Sequence, residues 1–140
     1  ADGATIDSGK VYVVAHPNAP QAIQDRANET YNFRFNGDDG LKLVKKIADS
    51  TKWDDNNARR VEDVDFTVID TLGDWQGNTG GWEVAGVAAA TLNHILVRKS
   101  NVKKGNSDWN AARGTNAEDS EWIVYDPDDF TYLGSHTIES

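Results

Sequence analysis

The chain has 140 residues, 38% of them hydrophobic, and its 23 acidic side chains outnumber 14 basic ones for a formal net charge of −9. One domain fits that length, with about two-thirds of the unfolded surface available for burial. The absence of Cys excludes a disulfide framework, a thiol nucleophile, a thiolate zinc site and an iron–sulfur cluster. The acidic balance argues against nucleic acid as the main ligand, which needs a basic face. No apolar run approaches the ~20 residues of a membrane-spanning helix. The chain also has no Met, so the expectation is that Ala1 follows a removed segment or lies within a longer chain.

Lys10 to His16 (K-V-Y-V-V-A-H) is β-branched and aromatic on both faces, which predicts a buried central strand. Asn18 then predicts an N-cap for a short helix from Ala19 to about Asn28, with Gln21 completing a capping box. Tyr31 to Phe35 alternates, Asn36-Gly37-Asp38-Asp39-Gly40 has turn composition, and Leu41 to Lys45 alternates again. Together these predict a β-hairpin.

Residues 47–65 form a charged, exposed excursion. Strands follow at Phe66 to Leu72, closed by Gly73, at His94 to Lys99, and at Glu121 to Tyr125. Gln76 to Gly81 and Asp126 to Asp129 read as turns, and Asn101 to Gly114 as a loop. Six or seven short strands with Gly, Asn and Asp turns predict an all-β antiparallel sandwich or barrel, with one short helix and long acidic loops.

Seven segments, in order, resemble bacterial lamin-tail domains. They are F-N-G-D-D-G-L-K-L-V at Phe35 to Val44, V-I-D-T-L-G at Val68 to Gly73 and G-W-E-V-A-G-V at Gly81 to Val87. T-L-N-H-I-L-V-R-K at Thr91 to Lys99 follows, then G-N-S-D-W at Gly105 to Trp109, S-E-W-I-V at Ser120 to Val124 and L-G-S-H-T at Leu133 to Thr137. The resemblance spans roughly residues 8 to 137. It implies an immunoglobulin-like β-sandwich on secreted or cell-surface bacterial proteins, acting as a non-catalytic structural or interaction module.

The sequence departs from that pattern in two places. Residues 47–65 are longer than the usual link, and the opening strands that precede the equivalent of Lys10 in typical members have no counterpart. A sandwich without them exposes a sheet edge, so the expectation is completion by a protein partner or by self-assembly.

Several residue groups carry a chemical alternative beside a structural one. Asn36, Asp38 and Asp39 offer oxygens to Ca²⁺, or simply build a turn through bonds to backbone N–H groups. Asp54 and Asp55 are a second oxygen-rich pair, and Asp126, Asp128 and Asp129 a third. Ca²⁺ is allowed by these groups and required by none. Trp53 and Trp75 stand in polar loops and suit contact with a ligand such as a sugar, whereas Trp82, Trp109 and Trp122 read as structural. Arg98 reads as the partner of an acid. His16, His94 and His136 show no metal-ligand spacing, and Ser135-His136 lacks the Gly-x-Ser-x-Gly context of a hydrolase. The expectation is therefore no enzyme.

Overall fold

The computed structural model describes residues 5–46 and 66–140. In chain order these give β1 (Val14–Ala15), α1 (Gln21–Gln24), β2 (Glu29–Thr30), β3 (Leu41–Lys46), β4 (Phe66–Leu72), α2 (Ala90–Asn93), β5 (Ile95–Arg98), α3 (Trp109–Arg113) and β6 (Trp122–Tyr125). The strands form three two-stranded sheets: β1 with β2, β3 with β4, and β5 with β6. The last two are antiparallel, and the two-residue β1–β2 pair is parallel. The fold is mostly β, with three short helices where the sequence predicts one.

The core gathers on the C-terminal half. Trp82, Val84, Ala90, Trp109 and Ala112 are buried together, and Leu72, Leu96, Trp122 and Val124 pack against them. Trp82 and Trp109 meet edge to face at 6.2 Å between ring centroids, the arrangement favoured by aromatic quadrupoles. Helix α3 is fixed at its start by Asp108, whose carboxylate accepts from the Ala111 N–H at 3.1 Å. That cap turns Trp109 and Ala112 inward.

An ionic cluster joins β4 to the β5–β6 sheet. The Asp70 carboxylate accepts from Arg98 Nη2 at 2.6 Å, and Glu121 accepts from Arg98 Nη1. The Arg98 guanidinium also lies 4.0 Å from the Trp122 ring centroid, a cation–π contact. Asn106 closes the cluster: its N–H donates to Asp70 at 2.9 Å and its side-chain amide donates to Glu121 at 2.8 Å.

Three predicted elements differ. Lys10 to His16 is not a central strand, because only Val14–Ala15 pairs and its partner is the two-residue β2. Val13 and Ala15 are buried while Val14 between them stays exposed, so only one face of the paired stretch is covered. The predicted helix is shortened to α1, and Pro20 rather than Asn18 occupies the cap, without a side-chain bond. The Asn18 N–H instead donates to His16 Nδ1 at 3.1 Å.

The predicted hairpin does not form either. β3 pairs with β4 and not with Tyr31 to Phe35. Arg34 sits at φ 49°, in the left-handed region, which breaks the extended alternation that pairing needs.

Candidate functional site

The turn at residues 36–40 is clamped onto α2 and the loop after β4. Gly37 has φ 96°, and a Cβ there would collide with the Thr91 backbone, so only glycine fits. The Thr91 hydroxyl donates to the Gly37 carbonyl at 2.6 Å and accepts from the Trp82 N–H at 2.8 Å. The Asn78 N–H donates to the Asp38 carbonyl at 2.8 Å. Gly40 lies against the Asp74 backbone and Gly73 against the Asp39 carbonyl. Backbone groups and Thr91 therefore hold this turn.

The same clamp brings two separate sequence candidates into one loop cluster. Asn36, Asp38 and Asp39 stand on the turn, and Trp75 stands in the loop that touches it, 69% exposed. No hydrogen bond or ion pair from the described residues holds the Asp38 or Asp39 carboxylate. Among the described residues no group of three or more His, Asp or Glu side chains converges where a metal ion could sit. Asp54, Asp55 and Trp53 lie outside the described residues.

Other polar and aromatic side chains have structural neighbours. Asp119 accepts from the N–H groups of Thr115 and Asn116 at 2.8 and 2.9 Å and from the Thr115 hydroxyl at 2.7 Å. The Asn116 N–H and the Thr115 groups hold the Asp119 carboxyl below its ordinary range. Asp129 is lowered similarly by Thr131. Trp82 and Trp109 are buried, in line with their structural assignment, and Arg98 pairs with two acids. Ser135 and His136 are exposed on the C-terminal segment.

Sequence reasoning missed a different surface. β3 is half of a two-stranded sheet, and its Leu41 and Leu43 are 39% and 61% exposed. Ile69 on β4 is the extra residue opposite the register step between Leu43 and Val44, and it too is exposed. A cleft of about 250 Å³ adjoins the start of β3, lined by His16, Asn32, Phe33, Arg34, Phe35 and Leu41. The signal lies in the predicted hairpin itself: it pairs the two apolar arms with each other, so neither counts as free surface.

The described residues contain no helix long and apolar enough to cross a membrane. No family model matches the chain, and neither the curated proteins nor the solved structures contain a match.

Proposed function

We propose that the chain is a non-catalytic structural or interaction module of a secreted or cell-surface assembly, built as an immunoglobulin-like β-sandwich that a protein partner completes. The observation that carries this reading is the exposed apolar surface of the β3–β4 sheet: Leu41, Leu43 and Ile69 lie open on a sheet that has two strands among the described residues. A stable isolated sheet needs a third strand or a covering layer. Grouped exposed apolar side chains of this kind mark contact surfaces. The ordered lamin-tail-like segments add the domain class and the extracellular setting.

The test is the native mass of the protein isolated from the cells that make it. A stoichiometric complex heavier than the 15.4 kDa chain is expected. A bare monomer would remove the partner from the account. A second reading, a Ca²⁺-dependent carbohydrate-binding module, draws on exposed Trp75 beside the Asp38 and Asp39 carboxylates, which no described residue bonds. Calorimetry with Ca²⁺ and a glycan panel separates the two, since the first predicts no heat in either titration.

A further inference from the structure

Charge on the open sheet says what kind of partner it fits. The chain carries net −9, yet β3 reads Leu-Lys-Leu-Val-Lys-Lys and contains no acid. Lys42 and Lys45 are exposed, as is Arg34 in the adjoining cleft. Within the β3–β4 pair Lys42 faces Thr71 and Lys45 faces Thr67, so neither lysine meets a carboxylate across the sheet. Among the described residues the ion pairs of this region belong to Arg98 instead. Two cations and two apolar side chains therefore stand on a strand that has one side unpaired among the described residues.

We infer that the outer edge of β3 receives an extended acidic segment of a partner protein, added as a third strand. This deepens the interaction-module reading and rests on it. Each residue of an added strand lies beside one residue of β3. Apolar side chains suit the positions beside Leu41, Leu43 and Val44, and carboxylates those beside Lys42 and Lys45. The order along the partner is then acidic, apolar, apolar, acidic, apolar for an antiparallel addition. Its final apolar residue lies beside Leu41, at the mouth of the cleft, where Phe33, Phe35 and Leu41 offer an apolar seat for one bulky anchor. A second copy of the chain is the poorer occupant, because two bodies of net −9 repel each other.

The experiment titrates the full chain with synthetic peptides by fluorescence anisotropy. One carries Glu-Val-Val-Glu-Val followed by Phe, and its control carries Lys in place of both Glu. The acidic peptide is expected to bind, the basic one not, and added salt to weaken the complex. The double variant K42E/K45E is expected to lose about tenfold or more in affinity. Both lysines are exposed, so this variant keeps its melting temperature, and an unchanged melt certifies that lost binding is not lost folding. Equal binding of the two peptides, or affinity unmoved by charge reversal, would overturn the proposal. A dimer dissolved by K45E and indifferent to peptide would assign the edge to a second copy and equally overturn it. A heavy native complex with no peptide binding sinks the edge assignment alone, whereas a native monomer sinks the module reading.

Discussion

Residues 82–124 and the β3–β4 sheet use similar apolar content in opposite ways. In the first region Trp82, Val84, Trp109 and Ala112 are enclosed, and Arg98 ties the β5–β6 sheet to β4 through Asp70. In the second, Leu41, Leu43 and Ile69 face solvent on a sheet of two strands. Composition cannot separate the two regions. What separates them is whether a neighbouring layer covers the strand. The enclosed region holds the packed core, and the open region is the surface on which the proposed partner contact rests.

The contrast breaks most visibly in the core. Trp109→Ala removes a buried indole from the Trp82 contact and is expected to cost ~3–5 kcal/mol. For a chain of this size that lowers the melting temperature by about 10 °C or more, measured by calorimetry. Arg98→Met leaves Asp70 and Glu121 half-buried without their cation and removes the stacking on Trp122. It is expected to cost about 3 kcal/mol, the low end for a broken buried pair because all three groups retain some solvent. Denaturant melts of R98M and wild type check that value.

A smaller effect comes from pH. Asp119 has a lowered pKa in the fold, so its contribution to stability is present above the ordinary carboxylate value and fades as pH falls through the lowered one. Asp119→Asn is therefore expected to flatten the acid limb of the stability curve, seen in melts taken across the acidic range. The smallest effect belongs to the open sheet. Leu43→Ser is expected to change stability by about 0.5 kcal/mol or less, as an exposed position allows. A loss comparable with Trp109→Ala would mean that Leu43 is covered in the fold and that the two regions do not differ.

The sequence made the three strands that enter or border the core easy to find. Phe66 to Leu72, Ile95 to Arg98 and Trp122 to Tyr125 carry β-branched or aromatic runs, and each is present within a residue or two of its predicted bounds. Helix α3 lies inside Asn101 to Gly114, a stretch that reads as a loop in the sequence, although Asp108 as cap, Ala111-Ala112 as helix formers and Gly114 as the stop are its signals. The polar residues around it mask those signals. The hairpin was not legible. Asn-Gly between two alternating runs is a strong local signal, but Arg34 turns left-handed and β4 takes β3 as its partner. The chain does bend at residues 37–39, but local turn chemistry does not choose the partner, because pairing is set by which strand reaches the edge from afar. At the candidate site the sequence marked Asn36, Asp38, Asp39 and Trp75 separately. The Gly40–Asp74, Gly73–Asp39 and Asn78–Asp38 contacts show them to be neighbours.

The central claim is that one edge of β3 is open in the free chain. Residue-resolved amide hydrogen exchange tests it most directly. An open edge predicts that amides of Leu41–Lys46 alternate, those directed at β4 protected and those directed outward exchanging at nearly the rate of an unstructured chain. Unbroken protection along β3, without alternation, would show the edge already paired within the chain and would contradict the account.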